Sequence, residues 1–314
     1  MARAIGLKLL LLIPVILLVS FLTFLMADLQ PGDTAVAILG ENARPEQIAA
    51  VNKELGLDKP IPQRFVDWGS KAIQGDLGRS LQSNQPVSEV LRQRLPVTIQ
   101  LAVMAQLMAL ILAVPLGAWS AWRAGRRFDR ATSTFSFGVI GLPPFVLGLL
   151  LIYAFALKLN WFPNSGWRNL TEDLWGNLHR AFLPALTLAL AEMAVYMQLL
   201  RNDMAATLQE DFVLASRARG MPTRHILLRE ALRPSSFSLI TLAAVNLGRL
   251  IGGTVIIENL FGLPGIGRAI IQAIPQKDFP VLQGAVLVLA VSYLLLNAVV
   301  DIMYFYIDPR LRRG

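Results

Sequence analysis

Cysteine is absent from this 314-residue chain, and histidine occurs only twice, at His179 and His225. The lack of cysteine excludes disulfides and thiolate metal sites, and two histidines are too few for a typical histidine-built metal centre. The chain also lacks the phosphate-binding pattern G-x-x-x-x-G-K-[ST] and the hydrolase patterns H-E-x-x-H and G-x-S-x-G. We therefore expect no catalytic residues, no metal site and no cofactor bound by this chain, so that any ATP hydrolysis belongs to another protein.

Charged residues are also scarce. They make up 16% of the sequence, whereas hydrophobic residues make up 54% and the mean hydropathy is +0.53. Such a composition is typical of membrane-spanning helices and not of an ordinary soluble domain. The net charge of +8 alone would suit a nucleic-acid-binding protein. The basic residues stand at the ends of apolar segments, however, which predicts a lipid bilayer as the partner and no nucleic acid.

Long apolar stretches predict six transmembrane helices, and hence an all-α polytopic membrane protein. The first stretch is nearer 20 residues than the roughly 7 to 15 of a signal-peptide core, which favours an uncleaved span. Fifteen of the 29 basic residues fall in segments that this topology places inside, so we predict that both termini are cytoplasmic. The predicted spans are 7–27, 96–118, 132–157, 181–200, 235–257 and 281–306.

These spans predict four segments. They are an N-terminal transmembrane helix (1–30), a small extracytoplasmic insert (31–95), a five-helix core (96–306) that contains a cytoplasmic loop (201–234), and a cytoplasmic tail (307–314). Within the third span, Pro143 and Pro144 remove two adjacent backbone donors. We therefore predict a bend or break at this point.

A polar, basic stretch, 212–234, separates the fourth and fifth predicted spans. Met204, Leu208, Phe212 and Ala215 recur at spacings of four, four and three, which predicts an amphipathic helix with these residues on its apolar face. Gly220 then predicts a left-handed helix end.

Pro222 prevents the first helix from continuing, and Pro234 is predicted to stop a second short one. A helix–glycine turn–helix arrangement that carries five arginines would also suit a DNA-binding element. A plain solvated basic loop is the other alternative.

Together with the segment IENLFGLPGIGRAI (257–270), this loop resembles the permeases of the dipeptide, oligopeptide and nickel branch of ABC importers. The similarity continues through LGRLIGGTVIIENLF, KDFPVLQGAVLV and NAVVDIMYFYIDPRLRR, covers residues 96–313, and extends to 1–30. Ala215, Gly220 and Pro234 match the loop pattern of that family, whereas Leu214 and Ser216 depart from its commonest form. The insert between spans one and two resembles the first, B-type, permease of such systems.

The resemblance implies a type I ABC importer permease fold in a bacterial inner membrane. It also implies a second permease subunit that completes a heterodimer, two cytoplasmic ATPase subunits that bind ATP and Mg, and an extracytoplasmic solute-binding protein. In that family the central loop docks into a groove on an ATPase and transmits the ATP cycle to the spans. The residues that the resemblance assigns to this coupling are Phe212, Ala215, Arg217, Arg219, Gly220 and Pro222.

The segment after the fifth span is rich in glycine and proline, which predicts a packed turn and no regular helix. We place it on the outside as an extracytoplasmic loop. Its candidate residues are Glu258, Phe261, Pro264, Gly265 and Gly267.

Two charged residues lie near the middle of predicted spans, where charge is costly and usually faces a pathway or a partner. Glu192 in span four and Arg249 in span five fall at similar depth, given a rise of about 1.5 Å per residue. We hypothesise that they form an ion pair or line the translocation path, and a purely structural pair is an equal alternative.

The sequence thus predicts a permease subunit of an ATP-driven importer, with di- or oligopeptides as the leading substrate. Nickel or a metal chelate is the alternative substrate within the same family. An ion-coupled secondary transporter is an alternative from another class, although only one span shows the broken helix that such transporters carry in pairs. A membrane-tethered DNA-binding regulator is a third alternative.

Overall fold

The computed structural model describes residues 13–25, 44–46 and 59–307, and the side chains of these residues up to 300. Helices dominate this part of the chain, and its one β-type pairing is an isolated antiparallel bridge between Arg79 and Pro86. The helices are α1 (Ile13–Leu25), α2 (Ile61–Ile73), α3 (Val87–Trp122), α4 (Arg127–Ile140), α5 (Pro144–Lys158), α6 (Leu174–Thr207), α7 (Asp211–Ala218), α8 (Thr223–Leu260), α9 (Ile266–Ala273) and α10 (Phe279–Ile307).

Four of the helices in the described residues, α3, α6, α8 and α10, are long and apolar enough to cross a membrane. The pair α4 and α5 counts as a fifth span if it is taken as one bent crossing. Helix α1 is apolar but shorter, and the rest of the predicted first span lies outside the described residues, as does the predicted tail after residue 307. The all-helical membrane fold is confirmed, and the count of six spans stays a prediction.

The predicted break at the paired prolines is confirmed. Helix α4 ends at Ile140, α5 begins at Pro144, and the two are bent by 108°. Both prolines stand where a new helix begins, since Pro143 is its N-cap and Pro144 its first residue, so neither missing N–H removes a helical hydrogen bond. The last seven residues of α5, Ile152–Lys158, form a wider π-helix.

Two other prolines lie inside helices, where the sequence predicted helix boundaries. Helix α3 begins nine residues before Pro96, the predicted start of the second span, and passes through it. Pro234 was predicted to stop a short helix, but α8 runs from Thr223 to Leu260 without a stop. A π-helical stretch, Ile226–Ala231, ends three residues before Pro234, and this altered hydrogen-bond register accommodates a residue without a backbone donor.

The chain divides into two compact units. The first comprises Met1–Thr98 and Pro264–Ile302, and the carboxylate of Asp278 ties its loops together. Asp278 accepts hydrogen bonds from the Ser80 hydroxyl at 2.5 Å and from the Leu81 N–H at 3.1 Å. The apolar core of this unit consists of Leu77, Val87, Leu91, Ile266, Ala269, Ala273, Val281 and Ala285.

The second unit comprises Ile99–Leu263 and Met303–Gly314, and α6 is its central helix. Helix α6 packs against α4, α5 and α8, and its Tyr196, Met197 and Leu200 are fully buried. It also lies close to α3 at Gly117, where an added Cβ would come within 3.0 Å of the Met197 carbonyl oxygen. Close packing of this kind is how membrane helices associate, because lipid supplies no hydrophobic driving force between them.

Candidate functional site

Helix α7 is a short helix between the long helices α6 and α8, and its end has the predicted glycine geometry. Gly220 adopts a left-handed φ of 72°, which a residue with a side chain rarely adopts. The Met221 N–H donates to the Ser216 carbonyl at 3.2 Å, and the Gly220 N–H donates to the Arg217 carbonyl at 2.9 Å. These two bonds form a Schellman motif, so the predicted role of Gly220 as the helix end is confirmed.

The faces of α7 differ from the predicted ones. Met204 and Leu208 are buried as expected, but Phe212 is 48% exposed and Ala215 is also exposed. The predicted continuous apolar face is wrong because α6 ends at Thr207 and the chain turns before α7 begins at Asp211. The residues of α7 that pack inward are Val213 and Ser216.

This turn gives α7 an apolar surface that the rest of the described chain leaves open. Phe212 and Ala215, three residues apart, share one face of the helix, and Leu214 is as exposed as Phe212. Of the other candidate residues, Arg219 is also exposed, and Pro222 is the N-cap residue that begins α8. A short helix with exposed apolar side chains at the end of two long helices is suited to contact another protein.

Contacts to the ends of the long helices fix α7 in position. The Arg217 guanidinium lies 5.0 Å from the centre of the Trp122 ring, at the last residue of α3, in a cation–π contact. Helix α7 also packs against the π-helical part of α8. On the approach to α7, the Thr207 and Ser235 hydroxyls lie 3.0 Å apart and join the end of α6 to α8. A displacement of α7 therefore acts directly on α3 and α8, and α8 is in turn joined to α6.

The second candidate site is a polar cluster between α6 and α8. Glu192 Oε1 accepts a hydrogen bond from Arg249 Nη2 at 3.1 Å, and Glu192 Oε2 accepts one from Asn246 Nδ2 at 2.8 Å. One helical turn along α6, the buried Tyr196 hydroxyl donates to Gln106 Oε1 of α3 at 3.1 Å. We call Glu192, Asn246, Arg249, Tyr196 and Gln106 the Glu192 cluster. The structure thus brings together the two charges that the sequence placed at similar depth.

The two partners of this ion pair have very different surroundings. The Glu192 side chain is 9% exposed, whereas the Arg249 side chain is 66% exposed. Asn246 and Arg249 each donate a hydrogen bond to one oxygen of the buried carboxylate. A buried charge in a membrane-spanning helix requires such partners. The Arg249 side chain is mostly exposed, and its remaining N–H groups can bind a carboxylate or a carbonyl oxygen.

The sequence analysis missed a further charged site, where four groups converge on Asp129. Arg201 donates to both carboxylate oxygens, from Nε at 2.9 Å and from Nη2 at 2.7 Å. The Ser120 hydroxyl donates to Oδ1 at 2.6 Å, and the Gly125 N–H donates to Oδ2 at 2.8 Å. We call these four residues the Asp129 clamp; it ties the end of α3, the start of α4 and the last third of α6 together. Its one signal in the sequence is an acidic residue in the middle of a basic segment.

The segment after α8 contains a turn, but it is shorter than predicted. Glu258 is still helical and fully buried, and α8 ends in a second Schellman motif in which the Leu263 N–H donates to the Glu258 carbonyl at 2.8 Å. Gly262 supplies the left-handed residue with a φ of 65°. Helix α9 then begins at Ile266 and includes Gly267, so the expectation of no helix is wrong at both ends of the segment. The non-helical part is 261–265, which contains Phe261, Pro264 and Gly265.

Similar proteins were found for nearly the whole chain. The family described as "binding-protein-dependent transport system inner membrane component" matches residues 113–313, and the N-terminal family of the same membrane component matches residues 1–102. A probable peptide ABC transporter permease of Sinorhizobium fredii is 35% identical over 300 residues, which cover 96% of each chain. A putative peptide transport system permease of Brucella abortus is 36% identical with the same coverage. The glutathione transport system permease of Escherichia coli K12 is 34% identical over 305 residues, 97% of each chain.

These relatives are transport permeases, and the region 113–313 contains α7, the Asp129 clamp and all residues of the Glu192 cluster except Gln106. The apolar helices of the described residues agree with a multi-pass protein of the inner membrane. The chain therefore belongs to the family of binding-protein-dependent transport system inner membrane components, as a permease of the peptide ABC importer type.

Proposed function

We propose that this chain is one half of the translocation path of an ATP-driven importer and that α7 is its coupling helix. The observation that carries the proposal is the exposed apolar face of α7 around Phe212 and Ala215, in a helix that contacts the end of α3 and packs against α8. A cytoplasmic ATPase subunit fits this face, because a groove on such a subunit would cover the apolar side chains and move the helices that α7 contacts. ATP and Mg would be bound by that subunit and not by this chain.

We propose di- or oligopeptides as the substrate. Two relatives are named peptide permeases and a third is named a glutathione permease, and glutathione is itself a small peptide. Peptides carry carboxylates and amide oxygens, which the remaining N–H groups of Arg249 can recognise. We therefore place the Glu192 cluster in the translocation path, with Arg249 in contact with the passing peptide and Glu192 holding its guanidinium in place.

The complete transporter in this proposal has a second permease subunit, two ATPase subunits and an extracytoplasmic binding protein that delivers the peptide. Both termini of this chain are cytoplasmic, and the turn around Phe261, Pro264 and Gly265 lies on the outside, where the binding protein docks. A nickel or metal-chelate importer of the same family remains the alternative substrate class.

Co-purification of the tagged chain from its own cells tests the assembly. We expect two ATPase chains and a second permease, and recovery of the chain alone would contradict the proposal. The purified complex is then placed in proteoliposomes with its binding protein, and uptake of a labelled dipeptide is measured with competing peptides or nickel. Competition by peptides only supports the peptide substrate, and competition by nickel only would replace it with the metal.

A further inference from the structure

One face of α3 is exposed along most of its length and is apolar. Val103, Leu107 and Ile111 are exposed at spacings of four residues, and Trp119 continues the same row two turns later. Residues four apart lie one turn along a helix and about 40° further around it, so these side chains form a single stripe that winds slowly around α3. In a membrane-spanning helix, an exposed apolar stripe of this kind faces the hydrocarbon of the bilayer.

The stripe ends in an aromatic ring and a positive charge. Trp119 is 41% exposed, and the guanidinium of Arg123, one turn further on, lies 4.8 Å from the centre of its ring. Tryptophan concentrates where the hydrocarbon meets the lipid headgroups, and a cation held over its ring is placed at the same level. Because Arg123 continues the hydrocarbon-facing stripe, its charge is directed towards the headgroups and away from the helix bundle.

Three more exposed arginines follow Arg123 within seven residues. The single acidic residue among them, Asp129, has both carboxylate oxygens occupied by the Asp129 clamp and is buried. It therefore does not neutralise its neighbours, and none of the four arginines forms an ion pair in the described part of the chain. We call this set the arginine patch: Arg123, Arg126, Arg127 and Arg130.

The start of α4 adds to the positive potential. Arg126 is the N-cap residue of this 14-residue helix and makes no side-chain capping hydrogen bond. The N-terminus of a helix favours negative charge, because its first N–H groups have no partner within the helix. Guanidinium groups beside it can donate paired hydrogen bonds to phosphate oxygens.

We infer that the arginine patch binds the phosphate headgroups of anionic phospholipids from the bilayer around α3. The apolar stripe and Trp119 select a lipid over an acidic protein surface, because the acyl chains of the same molecule would lie along the stripe. Basic loops in general orient a membrane protein in the bilayer. The geometry of the arginine patch predicts in addition a preference for one class of lipid at one place on the protein. It is also separate from the proposed coupling and translocation sites, so it does not depend on either.

Quenching of Trp119 fluorescence by brominated lipids tests this inference. The complete transporter, with its partner chains, is placed in phosphatidylcholine nanodiscs that contain equal fractions of dibrominated phosphatidylglycerol or dibrominated phosphatidylcholine. A parallel Trp119→Phe sample is subtracted to isolate the signal of Trp119 from the other five tryptophans. We expect the anionic lipid to quench Trp119 several-fold more strongly than the neutral lipid.

Neutralising the arginines and raising the salt concentration test whether the arginine patch causes the preference for the anionic lipid. Each arginine replaced by glutamine should weaken the anionic preference in part, by at most about fivefold, the equivalent of about 1 kcal/mol per charge near a membrane surface. The variant with all four arginines of the patch replaced should therefore quench equally with both lipids. Arg92→Gln, near the opposite end of α3, is the matched control and should behave as the native chain. Raising salt from about 0.1 M to about 1 M, which shortens the Debye length from about 10 Å to about 3 Å, should reduce the preference without any substitution.

Four results would overturn the inference. Equal quenching by the two lipids in the native transporter would show that the patch does not select anionic headgroups. A preference that survives in the four-arginine variant, or that is lost equally in Arg92→Gln, would place the selection elsewhere. If neither lipid quenches Trp119 in the complete transporter, a partner protein covers this surface and it is a protein interface.

Discussion

Helix α6 carries two ion pairs, and they differ in what they leave exposed. In the Asp129 clamp, Arg201 holds a buried carboxylate with two hydrogen bonds, and Ser120 and Gly125 complete the set of donors. In the Glu192 cluster, the carboxylate is also buried, but its arginine is mostly open to the surroundings. In the clamp, both carboxylate oxygens are bound within the protein by a mostly buried arginine, whereas in the cluster the arginine is exposed. Ion pairs on one helix can thus be structural at one end and available for binding near the middle.

Breaking the clamp should have the largest effect on stability. Asp129→Asn leaves the Arg201 charge without its partner, and removing one member of a buried pair costs about 3 kcal/mol. We expect a lower unfolding temperature of the purified protein and a lower yield from membranes. Glu210→Gln, an exposed acid next to α7, is the control and should leave the unfolding temperature unchanged. Equal unfolding temperatures for the native chain and Asp129→Asn would show that the clamp does not support the fold.

Blocking the exposed face of α7 should strongly reduce ATP-driven uptake and leave the stability of the protein unchanged. Ala215→Arg places a long charged side chain on the face that we propose to contact the ATPase, so ATP-driven uptake should fall at least about tenfold, the equivalent of about 1.4 kcal/mol. Because Ala215 is exposed, the free energy of unfolding should change by less than about 0.5 kcal/mol. Uptake in proteoliposomes and thermal unfolding measure the two effects. If the variant retains uptake, this face of α7 does not contact the ATPase.

Changes in the Glu192–Arg249 pair should affect transport and stability together. Arg249→Gln leaves the buried Glu192 carboxylate without its ion-pair partner, so we expect a several-fold loss of peptide uptake and a lower unfolding temperature. Glu192→Gln alters a buried group with two partners, and we expect a loss of about 1 kcal/mol in stability as well as a loss of uptake. The double variant should lose less than the sum of the two, because the residues interact directly. Additive losses would show that the two side chains act independently.

The smallest effect is expected at Asp173, the N-cap of α6 outside the spans. A hydrogen bond from the Gly176 N–H and the neighbouring Arg168 guanidinium lower the pKa of Asp173 below its ordinary value of 3.8. Because the folded-state pKa is depressed, the charge stabilises the fold above the unfolded pKa, and this contribution is lost as the pH falls through the folded one. The native chain should therefore unfold at a higher temperature than Asp173→Asn at pH 7, and the difference should shrink as the pH falls below the ordinary carboxyl pKa of 3.8. A difference that stays constant with pH would contradict this role.

Local rules predicted some features of this chain correctly. The break at Pro143 and Pro144 follows from two missing backbone donors, and the helix end at Gly220 follows from the freedom of glycine to adopt a positive φ. The similar depth of Glu192 and Arg249 follows from the helical rise within apolar segments of known direction. Each of these predictions depends on residues within one helix or one turn, or on a simple count along the chain.

Other predictions failed where contacts between distant residues decide the outcome. The exposed position of Phe212 depends on a turn after Thr207 that reorients α7 relative to the buried row of Met204 and Leu208. The helix passes through Pro234 because a π-helical stretch precedes it, which the residue types alone do not signal.

The sequence by itself determined that this is a helical membrane protein, that one helix breaks at Pro143 and Pro144, and that another ends at Gly220. Apolar length and backbone donors are local properties, and in a membrane they dominate because every N–H must find a partner within the protein. Only the tertiary structure decided that Asp129 is held by a residue 72 positions away, that Arg249 is open while Glu192 is buried, and that Arg123 ends a lipid-facing stripe. These features depend on which faces of neighbouring helices meet, and helix packing is set by contacts that no single segment contains.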